Sequence, residues 1–281
     1  FQKARSLINF GLNIVVMDLL SVLLLNLDYL FVGRNLGAAA LGAYTLAFRL
    51  PDLVVLNFAR IIGSVIFPVF THMRDVPGSL GRGFVQIVRY VSLITIPLGL
   101  GLVMVARPLT LTLFTEKWND TIPALQGIAL YAMFLSLAYN AGDAYKAEGR
   151  PQVITWMGLL QLGLLFPSLW WAVFYQGSIA AVGFAQAFVA FITMVVNLYI
   201  ATRLLSIRVV DLLNAFRPAV LSSLFMVVVV QLVMFTSLSL DSWLQLILGI
   251  VSGGLTYAVA LWIFQRDVVM DAITRVRSAA G

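Results

Sequence analysis

Four polar side chains interrupt the apolar run between residues 40 and 70: Arg49, Asp52, Asn57 and Arg60. A helical residue turns about 100° and rises about 1.5 Å, so the step from Arg49 to Arg60 closes three turns with about 20° left over and spans about 16 Å. Both guanidinium groups then share a face, with Asp52 about 60° and Asn57 about 80° from Arg49. An arginine fork donates two parallel hydrogen bonds to a phosphate and does not lose its charge, so the stripe suits an anionic head group. The preceding apolar run adds Asp18, Asn26 and Asp28. Counted from the outer end, Asp28 is shallower than Arg49 and Asp18 deeper, and either is placed to pair with it across a neighbouring helix. Two readings fit. In one, Arg49–Asp52 or Arg49–Asp28 is a buried ion pair that pins helices at little net gain in stability. In the other, the stripe lines a watered cavity, which would offset the roughly 3 kcal/mol that each central arginine costs in lipid.

The elements that must carry these groups follow from composition. Of 281 residues, 61% are hydrophobic and only 11% charged, and the mean hydropathy is +0.98. A soluble domain carries about 25% charged residues, so a soluble enzyme is excluded. A helix crossing the ~30 Å hydrocarbon core needs about 20 apolar residues. Eight stretches qualify, at 7–32, 40–70, 84–106, 122–142, 152–175, 179–202, 217–237 and 243–264. Runs such as Met226-Val227-Val228-Val229-Val230 lack the alternation of a barrel strand. The expected fold class is therefore all-α, a polytopic integral membrane helical bundle. Pro151 and Pro218 are each expected to open a span, and the pairs Gly33/Gly37 and Gly249/Gly253 to mark close helix contacts. With both termini in the cytoplasm, twelve lysines and arginines fall on the inner side and three, Arg34, Arg107 and Lys117, on the outer.

Other chemistry is thin. There are no cysteines and a single histidine, His72, so no metal site, cofactor or catalytic triad is expected. The +6 net charge is scattered between apolar runs, which excludes nucleic acid as a partner and leaves membrane lipid. Gln126, Asn140 and Asp143 of the fourth span and Asn197 of the sixth are candidates for the same cavity, but the sequence does not set the rotation of their helices. Trp118 in the outer loop reads as an interfacial anchor. Phe1 is not a methionine, and Lys3 and Arg5 precede an apolar stretch longer than the core of a secretory signal, so the chain reads as a fragment of a longer protein.

One run, Asp28-Tyr29-Leu30-Phe31-Val32-Gly33-Arg34-Asn35-Leu36-Gly37, followed by Leu41-Gly42-Ala43-Tyr44 and Ala47-Phe48-Arg49, resembles the polysaccharide-transport branch of the multidrug/oligosaccharidyl-lipid/polysaccharide exporter superfamily. These are bacterial flippases for undecaprenyl-pyrophosphate-linked sugars, and the match falls on their seventh and eighth helices. Leu113-Phe114-Thr115-Glu116-Lys117-Trp118 is similar to the family's outer loop after helix nine, with Thr115 where glycine is common. Ala147-Glu148-Gly149-Arg150-Pro151 is similar to its inner loop between helices ten and eleven. The resemblance implies two six-helix lobes plus a terminal pair. This chain would supply the second lobe (1–208), the terminal pair (209–264) and a cytoplasmic tail (265–281), and its partner would be the missing N-terminal lobe. It further implies a lipid-linked oligosaccharide as substrate, an inner-membrane location, alternating access and no enzymatic step. Arg49, shortly before Pro51, matches a family arginine implicated in gripping the pyrophosphate. Arg49 and Arg60 would then bind substrate, while Asp28 and Asp52 hold the arginines between cycles. The rivals are a drug/cation antiporter on the same architecture, using Asp18 or Asp28, and a membrane-embedded glycosyltransferase or polymerase.

Overall fold

Apolar length and local punctuation decide the elements. A computed structural model describes residues 19–20, 22–63, 70 and 79–264, and all regular structure among them is helical. Helix α1 covers residues 22–35. Helix α2 (Gly37–Pro51) continues through a π-turn at Asp52–Leu56 to Gly63. Then come α3 (Ser79–Leu113), α4 (Thr121–Tyr139), α5 (Ala141–Ala147) and α6 (Gln152–Trp170), which a π-turn extends to Tyr175. Helices α7 (Ile179–Leu204), α8 (Val209–Thr236) and α9 (Ser242–Phe264) complete the described chain. Among the described residues seven helices, with α4 and α5 counted as one, are long and apolar enough to cross a membrane. The protein is a multi-pass helical membrane bundle. Half of the expected first span, with Asp18, lies outside the described residues, as do His72, Arg74 and the tail 265–281.

Several boundaries differ from expectation for local reasons. Helix α3 has 35 residues, about 50 Å of rise, and takes in Arg107. The outer loop thus shrinks to residues 114–120. Thr115 needs no glycine, because its backbone is extended at φ −117°. Helix α8 starts at Val209, so Pro218 lies buried inside the helix and does not open it, whereas Pro151 does stand just before α6. Gly37 is a turn residue and no packing contact: φ is +87°, and a Cβ there would meet nothing within 4 Å. Gly249 and Gly253 are close contacts, with Met234 and Val230 against them. Gly149 (φ +76°) ends α5 in a Schellman motif, in which the Arg150 N–H donates to the Tyr145 carbonyl at 2.8 Å and the Gly149 N–H to Lys146 at 3.0 Å.

Helix α4 is the hub, packed against α7, α3 and α2. Its closest approach is to α7. A Cβ on Gly127 would stand 2.5 Å from the Gly183 carbonyl carbon, and one on Gly183 would stand 2.8 Å from the Ala124 carbonyl oxygen. Helices α8 and α9 pack on each other and on α3. Pro97 has no N–H to give the Leu93 carbonyl four residues earlier. The Tyr257 hydroxyl of α9 donates to that carbonyl at 2.6 Å, tying the terminal pair to α3.

Candidate functional site

The polar stripe of α2 is shaped by Pro51. Lacking an N–H, the proline cannot bond the Ala47 carbonyl, and the next turn widens, so that the Asn57 N–H reaches back five residues to the Asp52 carbonyl. One extra residue in a turn takes about 100° out of the helical phase. Arg60 therefore lies about 80° from Arg49, not 20°, while Asp52 swings to within about 20° of Arg60. The contacts agree with that phase. The Arg60 guanidinium donates to the Asp52 carboxylate, in an ion pair, and to the Asn57 side-chain oxygen. The pair stays partly open, with 47% of the Arg60 side chain and 31% of the Asp52 side chain exposed.

Asp28 has a different partner from the one expected. It is buried, its Oδ2 accepts from the Tyr44 hydroxyl at 2.6 Å, and its Oδ1 has no hydrogen-bond partner. The reason is the hairpin between α1 and α2. Asp28 and Tyr44 are equally far from the turn at Leu36 and so lie at one depth, whereas Arg49 is five residues deeper, about 7 Å. Tyr29, Phe48 and Tyr131 close the surroundings: the Tyr29 and Tyr44 rings are 5.5 Å apart and Phe48 is 5.8 Å from Tyr131. Asp28 is thus a structural link between α1 and α2. Neither ion pair expected for Arg49 forms, and its side chain is exposed.

Arg60 faces a cavity whose wall does not include Arg49. About 850 Å³ opens between α1, α2, α4, α5 and α6, and its polar wall is Arg60, Asp143, Lys146, Gln161, Tyr131 and Tyr139. Lys146 donates to Asp143 at 3.1 Å. A smaller cavity of about 250 Å³ shares Tyr139, Gly142 and Gln161 with it and reaches Asn197, whose side-chain oxygen accepts from Tyr145 at 2.6 Å. Two basic groups thus look into one space, each held by a carboxylate that an incoming dianion can replace. Of the other candidates, Asp143 and Asn197 line these cavities. Asn140 is buried beside them with its amide unpartnered, and Gln126 turns away to donate to the Val103 carbonyl at 3.1 Å.

Lys146, Gln161, Tyr131 and Tyr139 were not legible as site residues. Lys146 reads as an inner-loop charge. Its one signal is the Asp143/Lys146 spacing of three immediately after a span, which puts both on one face of a short helix.

Residues 1–123 match the family model described as "Polysaccharide biosynthesis protein". Over 242 residues, 84% of this chain and 49% of the relative, the sequence is 28% identical to the teichuronic acid biosynthesis protein TuaB of Bacillus subtilis. It is 28% identical over 162 residues, 58% of this chain and 33% of the relative, to the lipopolysaccharide biosynthesis protein WzxC of Escherichia coli. To the succinoglycan biosynthesis transport protein ExoT of Rhizobium meliloti it is 22% identical over 99% of this chain and 56% of the relative. The chain spans between a third and just over half of the length of these curated relatives. No solved structure matches significantly. The resemblance to the polysaccharide-transport family, drawn above from the motifs, is borne out by these relatives.

Proposed function

We propose that this chain is the second lobe (1–208) and terminal helix pair (209–264) of a flippase that moves an undecaprenyl-pyrophosphate-linked oligosaccharide across the bacterial inner membrane for cell-surface polysaccharide synthesis. A head group with charge and many hydroxyls cannot cross hydrocarbon without a polar cavity. The observation that carries this reading is Arg60 in the wall of the 850 Å³ cavity, with Lys146 beside it. Arg60 contacts the pyrophosphate, and Asp52 holds Arg60 while the cavity is empty. Arg49 serves from a face of α2 that also exposes Leu53 and Val54 among the described residues, and that face would meet the N-terminal lobe. Rocking of the two lobes exposes the cavity to each side in turn. The termini of this fragment lie in the cytoplasm, as the inner excess of lysine and arginine requires. A drug/cation antiporter would present a free carboxylate as its binding group, but Asp28 is closed off by Tyr44 and Asp143, the carboxylate of the cavity wall, is paired with Lys146.

The test uses the full-length protein. Hydrogen bonds to a charged group contribute about 1.5–3 kcal/mol each, so Arg60→Ala should lower export of surface polysaccharide by about tenfold or more, with build-up of the lipid-linked precursor. Arg60→Lys should recover part of it. Undiminished export in Arg60→Ala and in Arg49→Ala would remove the reading.

A further inference from the structure

Beside the cavity that Arg60 faces lies a chamber whose wall carries hydrogen-bonding groups but no charge. It encloses about 250 Å³ between α4, α6 and α7, less than the roughly 300–1,000 Å³ of pockets for drug-sized ligands, so it has room for a single ring. Each helix lines it with one face: Tyr139 from α4, Thr155 and Gln161 from α6, Thr193 and Asn197 from α7. None of the described residues in the wall is charged, and apart from these groups and Tyr145 the wall is apolar or glycine.

Three of the polar groups are placed for a guest and not for the fold. Thr193 is satisfied internally, its hydroxyl donating to the Val189 carbonyl at 2.9 Å. The Tyr145 hydroxyl donates to the Asn197 side-chain oxygen at 2.6 Å, which fixes the amide and leaves its nitrogen free to donate. Among the described residues nothing partners that nitrogen, the Gln161 amide or the Thr155 hydroxyl, and none of the three is sealed away from the chamber. Gln161 lies about 14 Å into α6, and Asn197 about 10 Å from the end of α7. At that depth lipid offers such groups nothing, so their partners have to enter with a guest or with water. A phosphate would need a cation, and an isoprenyl chain would leave all three unmatched. A sugar ring matches them, because each of its hydroxyls both donates and accepts. Tyr139 adds an apolar ring and a hydroxyl, the two kinds of surface that a sugar itself presents.

Tyr139, Gly142 and Gln161 line both this chamber and the Arg60 cavity, so the uncharged space and the basic one share a wall. We infer that the chamber is a sugar subsite, which holds the ring bonded directly to the diphosphate while Arg60 and Lys146 hold the diphosphate. Its effect is selection: a carrier lipid without sugar leaves the three groups unmatched and binds less tightly. The preference for an uncharged ring stands on the chamber alone, while the diphosphate beside it rests on the transport reading.

The experiment is a competition, read by native mass spectrometry of the full-length protein, between bare undecaprenyl diphosphate and undecaprenyl diphosphate bearing one glucose, galactose or N-acetylglucosamine. At least one sugared lipid should bind about tenfold more tightly than the bare lipid. Asn197→Leu and Thr155→Val should each cut that preference about threefold, with affinity for the bare lipid within twofold of the unaltered protein. Thr155→Val removes a hydroxyl that no protein group uses, so it carries the test even if Asn197→Leu fails to fold. Equal binding of the bare and all three sugared lipids, or a preference that Thr155→Val leaves untouched, overturns the subsite. Tighter binding of the bare lipid in either variant would put the isoprenyl chain in the chamber and overturn it as well. Arg60→Ala should weaken bare and sugared lipids alike. A sugar preference sensitive to Thr155→Val, in a protein whose affinity for bare lipid is indifferent to Arg60→Ala, would keep the chamber and remove the diphosphate site of the transport reading.

Discussion

The span Gly37–Gly63 and the span Thr121–Ala147 have the same length, 27 residues, and are similarly apolar, yet over an apolar stretch of 18 residues 28% of the first and 67% of the second is buried within the protein. Hydropathy decides that a helix enters the bilayer. It does not decide whether that helix meets protein or something else. The second span closes on α7 through Gly127 and Gly183, where only backbone fits. The first keeps an open ion pair and an exposed arginine, neither of which serves packing. Without a hydrophobic drive between helices in lipid, small residues mark where helices hold together. Polar residues that stay exposed mark where they do not.

The sharpest way to break this contrast is at the seam. Gly183→Val puts branched carbon against the Ala124 carbonyl, where a Cβ alone would already stand 2.8 Å away. Backbone has to move, and the expected loss is about 3 kcal/mol or more, seen as a collapse in detergent-solubilised yield and melting temperature. Arg60→Ala should leave both readings unchanged while lowering export. Equal destabilisation by the two would erase the distinction between a structural and a functional span.

How much of this was readable beforehand depends on what each residue answers to. Spans were legible because apolar length alone places a helix in lipid, and Pro151 was legible because a Schellman turn precedes it. Pro218 was not: a proline that opens a helix and one buried inside it look alike in sequence, and only packing separates them. The Arg49–Arg60 stripe was read with a regular helical period, and one wide turn at Asp52–Leu56 moved Asp52 from Arg49 to Arg60. Asp28 was assigned to an arginine because Tyr44 reads as one more aromatic membrane residue. Its hydroxyl matters only once the hairpin at Gly37 brings it level with Asp28. The walls of the cavity depend on the rotation of α4, α5 and α6, which no single helix encodes.

A smaller effect sharpens the same contrast at the terminal pair. Tyr257→Phe strips the part-buried Leu93 carbonyl of its donor, and leaving it unmet away from water costs about 1 kcal/mol or more. Pro97→Ala restores a backbone N–H to that carbonyl, so Tyr257→Phe should cost much less on that background. A thermal-unfolding double-mutant cycle reads the difference, and strict additivity would mean that the tyrosine serves Leu93 for reasons unconnected with the proline.

The least loss of stability, within about 1 kcal/mol, is expected for Pro51→Ala, because the pair is partly solvated and the helix tightens only where the regained hydrogen bond offsets the repacking of Val55 and Leu56. Its value lies in geometry. With an N–H returned at position 51, the turn after it can tighten to four residues, and everything beyond rotates by about 100° relative to the first half of α2. The chain has no cysteine, so single cysteines introduced at positions 57 to 63 report the rotation directly. Their thiol-labelling pattern should shift by one residue, with Asp52 parted from Arg60. An unshifted pattern would mean that buried Val55 and Leu56, and not the proline, hold the turn open. In that case the alignment of Arg60 with its cavity is set by the core against which α2 packs.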